Sequence, residues 1–326
     1  MSTGRRSRSR PRPPRAQRGI ALLVAILLVA LGTILAATIG YENAMAARRG
    51  AATFAFDQAL LVQQGAEALA AYGLREAQRA DPQHLYINEG WDKTVGPIEV
   101  VPGVMLTASL EDLQGRFNLN NLVQEDGTPD PIEVAAFEQL LAMTGLETKW
   151  AGLMIDWIDR DIVPSVPDGA EDSVYMGQTP PYRTPNRYIT SASEMLALPG
   201  FGRDRWVKIE PYVTALPFGQ RLNICTASAL VLDAFLGHAD FSSDPQALTQ
   251  NRANANGCFP QLSDYQAAFQ TTTAWRNASQ KVQQTSIYFR LGSLIAIGST
   301  EFNLYSLLMQ DPTGSVRPIL RSYTPE

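Results

Sequence analysis

Six carboxylates crowd one 17-residue stretch: Asp156, Asp159, Asp161, Asp168, Glu171 and Asp172, with only Arg160 to offset them. Mutual repulsion in such a segment is unfavourable unless a cation or basic groups neutralise it. Hard oxygen ligands in this number suit Ca²⁺, which takes six to eight of them. The spacing is not that of an EF-hand, because no Asp-x-Asp-x-Asp-Gly run is present. Pro164 and Pro167 stiffen the intervening loop. A solvated acidic loop is the competing reading.

Other reactive groups are sparse. Cys225 and Cys258 lie 33 residues apart, and in an oxidising compartment they can pair; two unpaired thiols are the alternative. His84 and His238 sit in no metal motif, and no Gly-x-Ser-x-Gly is present. Cys225 with His238 as thiol and base is a remote option beside a disulfide or core position for Cys225. The sequence therefore predicts no catalytic residue. Leu198-Pro199-Gly200-Phe201-Gly202, followed by Ile209, resembles a helix-hairpin-helix turn, whose backbone N–H groups bind phosphate in DNA-binding proteins. That gives an alternative function, an envelope-anchored nucleic-acid-binding protein for DNA uptake. Few bases flank the turn (Arg203, Arg205, Lys208), Glu194 and Glu210 oppose them, and a simple joint between packed helices accounts for the glycines. Trp91, Trp150, Trp157, Trp206 and Trp275 are scattered and fit core positions.

The elements that carry these groups begin with a membrane address. Seven arginines from Arg5 to Arg18 precede Gly19, and Ile20 to Tyr41 then runs 22 residues without a charge. As a helix at about 1.5 Å per residue it reaches roughly 33 Å, enough for a hydrocarbon core of about 30 Å. The arginine side should stay cytoplasmic. A cleaved secretory signal, with small residues at Leu35-Ala36-Ala37 or Ala44-Met45-Ala46, is the other option, but the apolar run is long for one. Good helix formers continue without proline to Ala80, with Phe54, Leu61, Gly65, Ala68 and Tyr72 along one face, and Asp81-Pro82 stops the helix. Of the 27 basic residues seven lie in the leader; the remaining 20 face 32 acids, a net charge of −12 beyond residue 19. That disfavours nucleic acid and anionic lipid surfaces.

Strands are predicted at Ile98–Val101 and Val104–Leu110, and again at Ser286–Ile297 and Phe302–Met309. Helical signals fill the interval: Pro131–Met143, Thr148–Ile158, a capping box at Ser191-Ala192-Ser193-Glu194, and Ala227–Leu236 behind Thr226 as cap. No solenoid-type repeat is visible. The expected fold is α+β: a long N-terminal helix packed on a small antiparallel sheet, with a large α-helical insertion. The boundaries are 1–19 leader, 20–41 membrane half of the helix, 42–80 its outer half, 81–117 first part of the α/β domain, 118–284 insertion, and 285–326 closing strands.

Arg18-Gly19 before an uncharged run resembles a prepilin-type leader. Pilins and pseudopilins carry Glu at the fifth mature position, where this chain has Val24. Loss of that Glu together with a helical insertion resembles the minor pseudopilin K family of the type II secretion system. In family order follow Glu111-Asp112-Leu113-Gln114-Gly115-Arg116-Phe117-Asn118-Leu119-Asn120, Asp156-Trp157-Ile158-Asp159, Gly169-Ala170-Glu171-Asp172, Tyr175, Pro181-Tyr182-Arg183, Asn186-Arg187, Ser193-Glu194, Leu222-Asn223-Ile224 and Thr226-Ala227-Ser228. The match spans Gly19 to near Met309. Cys225 departs from it, standing where the family usually has Asn.

The resemblance implies a pilin-like fold, with cleavage after Gly19 by a prepilin peptidase that also methylates Ile20. It implies a single-pass anchor among inner-membrane lipids of a Gram-negative envelope, with the bulk in the periplasm and no nucleic-acid partner. It implies a place at the pseudopilus tip with minor pseudopilins I and J, no enzymatic activity, and calcium in the insertion. The expected ligands are Asp159, Asp161, Glu171 and Asp172, with Asp156 and Asp168 behind them. A buried pilin carboxylate needs its neighbour's amino group; Val24 removes that need, which suits a terminal subunit.

Overall fold

The computed structural model describes residues 17–254 and 257–325. The arginines from Arg5 to Arg15, and with them most of the expected leader, lie outside that range. Helix α1 runs Gln17–Ala80 without interruption and ends where Asp81-Pro82 was expected to stop it. The chain divides into two compact units at residues 58 and 59.

In the first unit α1 is exposed along nearly its whole length, and it is long and apolar enough to cross a membrane. Its threonines return their hydroxyls to the helix itself: Thr38 Oγ1 donates to the Ile34 carbonyl at 2.7 Å and Thr33 Oγ1 to that of Ala30 at 2.8 Å. The segment 20–41 thus presents no unsatisfied donor to hydrocarbon from these two side chains.

In the second unit, the remainder of α1 packs on a five-stranded antiparallel sheet of order β1-β2-β7-β8-β9. Its strands are β1 (Val95–Val101), β2 (Val104–Asp112), β7 (Tyr288–Ile297), β8 (Thr300–Gln310) and β9 (Val316–Ser322). Alternate residues face the helix: Val104, Leu106 and Leu110 of β2, Phe289, Leu291 and Ile295 of β7, and Leu304 and Leu308 of β8. The two edge strands each carry a proline, Pro97 and Pro318, where a missing N–H is tolerated. Strand β9 was not anticipated; Pro318 hides its β pattern.

The helical face that meets the sheet corrects the sequence reading. Phe54, Leu61, Gly65, Ala68 and Tyr72 do share a face, but it is the exposed one. Ala59, Gln63, Ala66, Glu67, Leu74 and Ala77 are buried instead. Small residues let the helix approach the sheet, and the two polar ones are matched by distant partners. Gln63 Nε2 donates to Ser306 Oγ at 2.9 Å, and Arg321 grips both Glu67 oxygens at 2.7 Å. Burial would raise the Glu67 carboxyl, but Arg321 and Ser306 hold it below its ordinary value.

Between β2 and β7 stands the insertion, with a separate apolar core. It comprises α2 (Pro131–Met143), α3 (Lys149–Ile158), α4 (Asp172–Tyr175), α5 (Gly202–Ile209), α6 (Ala229–Leu236), α7 (Pro245–Asn254), α8 (Leu262–Ala268) and α9 (Thr272–Ala278). Two short parallel pairs, β3 (Phe117–Asn118) with β4 (Val213–Thr214) and β5 (Leu222–Asn223) with β6 (Val282–Gln283), tie its start and its end each to its middle. The capping-box segment forms a 3-10 helix, Ala192–Ala197, and Glu194 accepts from Thr190 N rather than Ser191 N. Thr226 does not cap α6. Ser228 does, and Thr226 Oγ1 donates instead to the buried carboxylate of Asp112 at 2.5 Å, a stronger acceptor than a neutral partner.

Candidate functional site

Helix α3 delivers the acidic stretch. Asp156 lies in its last turn, fully buried, and both its oxygens accept from Ser165 N at 3.1 Å. Asp159 caps α3 in an extended conformation that turns the chain into the loop. A carboxylate oxygen from each of Asp159, Asp161 and Glu171 then lies within 4.8 Å of the others. Asp159 and Glu171 are buried, and Asp159 Oδ1 and Glu171 Oε1 have no hydrogen-bond partner among the described residues. Burial pushes both carboxyls up to about 7, and neighbouring carboxylates add to it. Burial likewise raises Asp156, against its bonds from Ser165.

Two bare, buried carboxylate oxygens beside a third acid fit a hard divalent cation, which would supply the missing partner for each. Asp172, expected among the ligands, is not in the group. It opens α4 and turns to Arg183 Nη1 at 3.6 Å and Thr184 Oγ1 at 3.3 Å. Asp156 braces the loop and Asp168 is exposed, so neither joins the three. Sequence reasoning missed the segment opposite as part of the site. Thr184 Oγ1 reaches Glu171 Oε2 at 3.4 Å, and Asn186 Nδ2 holds the Asp161 carbonyl at 2.7 Å. The signal was present in Asn186, a residue type that tolerates the left-handed φ of 46° it adopts.

Cys225 and Cys258 form a disulfide, so Cys225 is no nucleophile, and His238 Nδ1 contacts the Leu236 carbonyl. Arg252, largely buried, binds the chain around both cysteines: Nε to Phe259 O at 2.8 Å, Nη2 to Ile224 O at 3.2 Å and to Ala227 O at 2.6 Å. Burial lowers its guanidinium to about 10.

The glycine turn takes positive φ at Gly200 (78°) and Gly202 (69°), joining the 3-10 helix to α5. Phe201 is fully buried against Trp150. Arg205, one of the few bases nearby, spends Nη1 on the Gly200 and Phe201 carbonyls and lies 5.3 Å from the Trp150 ring centre. The turn is thus a packed joint.

On α1, Gly19, Ile20 and Val24 are helical, and Val24 is half exposed. No acid occurs between Ile20 and Tyr41.

The family described as type II secretion system (T2SS), protein K, matches residues 115–218, the part of the insertion that holds the acidic stretch and the glycine turn. The type II secretion system protein K of Pseudomonas aeruginosa is 32% identical over 94% of this chain and 93% of its own length. This chain belongs to the type II secretion system protein K family. That of Aeromonas hydrophila is 29% identical over 91% of this chain and 94% of its own. A crystal structure of the GspK-GspI-GspJ complex from enterotoxigenic Escherichia coli contains a chain of the same fold: TM-score 0.73 and 24% identity, over 84% of this chain and 98% of that one. As a protein K, the chain is a minor pseudopilin of the type II secretion system, a structural secretion component. None of these likenesses supports the nucleic-acid reading.

Proposed function

We propose that this minor pseudopilin caps the pseudopilus tip together with minor pseudopilins I and J. Cut after Gly19 by prepilin peptidase, it would start at methylated Ile20, stay in the inner membrane by residues 20–41, and hold its bulk in the periplasm. Its work is assembly rather than catalysis. Within the insertion, Asp159, Asp161 and Glu171 would hold Ca²⁺.

The observation that carries the reading is Val24. An apolar helix without the carboxylate makes no demand for a neighbour's amino group above it. The name of the complex that contains the similar chain supports I and J as companions. The bulk of the insertion supports a terminal place, since it would obstruct a further subunit.

Restoring the acid, Val24→Glu, tests this. The variant should enter the fibre along its length, with export impaired; unchanged position and export would sink the carboxylate argument. Mass spectrometry of the mature N-terminus should read methyl-Ile20. For the cation, calorimetry with Ca²⁺ should give heat on the wild type that Glu171→Ala loses. No heat from either removes calcium from the reading.

A further inference from the structure

Where the start of α2, the loop before β5 and the residues before β6 meet, a cavity of about 190 Å³ is lined mainly by polar side chains. Glu133, 2% exposed, and Asn121 are its buried members. Asn121 is fully committed: Nδ2 donates to the Gln220 carbonyl at 2.8 Å, and Oδ1 accepts from Gly219 N at 3.0 Å and Asn118 Nδ2 at 3.1 Å. Glu133 is not. Among the described residues its carboxyl accepts one long bond, from Asn121 Nδ2 at 3.4 Å. Lys281 Nζ stands 3.9 Å from Glu133 Oε1 but is drawn to Asp130 Oδ2 at 2.5 Å, so those two charges cancel. Burial, with Asp130 beside it, pushes Glu133 up to about 8 against Lys281 and Asn121. At neutral pH it is a carboxylic acid, with a donor and an acceptor to offer. The side chains of Gln220, Gln280 and Arg221 also line the cavity, and among the described residues they make no hydrogen bond or ion pair. Phe218 forms an apolar wall, fixed by stacking on Tyr188 at 5.7 Å and 13°.

These groups select the ligand. Pockets for small molecules are mostly apolar with a few polar groups, and this one reverses the proportion. A metal ion or an ammonium group would meet Lys281 and Arg221, and an anion would meet Asp130. A peptide docks through a strand edge or apolar anchors, whereas this cavity offers side-chain amides and a carboxyl. A sugar hydroxyl donates and accepts at once, as an amide or a carboxylic acid does, and the C–H face of a sugar ring is apolar. We infer that the cavity binds one ring of a saccharide, with Glu133, Gln220 and Gln280 on its hydroxyls and Phe218 against its C–H face. The inference depends neither on a place at the pseudopilus tip nor on the cation.

The test titrates the full chain, in a detergent without a sugar head group, with diacetylchitobiose, cellobiose and cell-wall glycan strands. Saturation-transfer NMR on the saccharide and calorimetry read the binding. A millimolar or tighter Kd is expected for at least one of the three. Gln220→Ala/Gln280→Ala should weaken it at least tenfold, the loss of two ordinary hydrogen bonds, with urea unfolding unchanged. Glu133→Gln keeps a donor and an acceptor and should still bind, whereas Glu133→Leu should not. Should Glu133→Leu fail to fold, the glutamine pair is read alone. Tighter binding of diacetylchitobiose than of cellobiose assigns an amino-sugar polymer as the source, and the reverse or no difference assigns a plain hexose. No binding of any of the three, binding that the glutamine pair does not affect, or inorganic phosphate or lysine bound in their place overturns the inference.

Discussion

Asp112→Ala should unravel the root of the insertion, and the penalty should be larger in acid than at neutral pH. Four donors converge on this fully buried carboxylate: Gln114 N at 2.8 Å, Ser286 Oγ at 2.6 Å, Thr226 Oγ1 at 2.5 Å and Asn223 Nδ2 at 3.1 Å. At about 1.5 kcal/mol for each bond to a charged group, they are worth roughly 6 kcal/mol. Burial opposes them and pushes the carboxyl from 3.8 up to about 6, despite the bonds from Ser286, Thr226, Gln114 and Asn223. At about 1.4 kcal/mol per pH unit, the charged form is disfavoured by about 3 kcal/mol with those bonds already counted. Truncation takes the acceptor from four buried donors, which at roughly 0.75 kcal/mol net for each is a loss of about 3 kcal/mol at pH 8. A raised folded-state value means that the native protein binds the extra proton. Its contribution is complete below about pH 4 and is lost as pH rises through 6. Roughly 1.4 kcal/mol of this falls between pH 5 and pH 8, and alanine cannot titrate. The gap between wild type and variant should thus widen to about 4.5 kcal/mol at pH 5. Urea unfolding of the full chain in detergent, read by tryptophan fluorescence at both pH values, measures it, and the other titrating groups cancel in the difference. A gap that is equal at the two pH values, or larger at pH 8, refutes the reasoning.

Reducing the Cys225–Cys258 bond, or making Cys258→Ser, should cost about 3–4 kcal/mol by the chain-entropy relation for a 33-residue separation, measured by the same unfolding. Gly169→Ala should cost about 1–3 kcal/mol by overpacking the acidic loop and should abolish the calcium heat of the wild type. Asp159 and Glu171 stand near 7 against ordinary values of 3.8 and 4.5, so metal-free protein should lose stability as pH rises from 5 to 8. Millimolar Ca²⁺ should abolish that fall in a thermal melt, because the cation replaces the protons.

Much of this architecture is legible in the sequence because its signals are local. Twenty-two uncharged residues, the Asp81-Pro82 stop, and Pro131 opening α2 behind Asp130 each need only a few neighbours to act. The acidic stretch was legible too, but its membership was not. Asp172 is as close to Glu171 in sequence as a ligand could be, and Arg183 and Thr184 draw it away. The failures share a cause in distant partners. The apolar stripe of α1 through Leu61 and Tyr72 looks like a core face, yet Glu67 is the buried position because Arg321 waits 254 residues on. Thr226 reads as a helix cap until Asp112 comes within reach. The two-residue strands β3 to β6 are too short to show any alternation.

The pairing of β2 with β7 has a consequence in time. Its register runs without a break from Val104 opposite Ile297 to Asp112 opposite Phe289, although the strands are separated by residues 113–287. Bringing such distant segments together is slow unless the intervening chain has already shortened the search. The insertion, with its own core and with Asn223 Nδ2 on Ser286 Oγ at its base, does that shortening. It should gain hydrogen-exchange protection before β2 and β7 do on refolding; simultaneous protection would contradict this order. A growing chain would then hold a finished insertion beside an unpaired β2 until β7, β8 and β9 are made. Completion of the sheet is a late step, because three of its five strands follow the insertion.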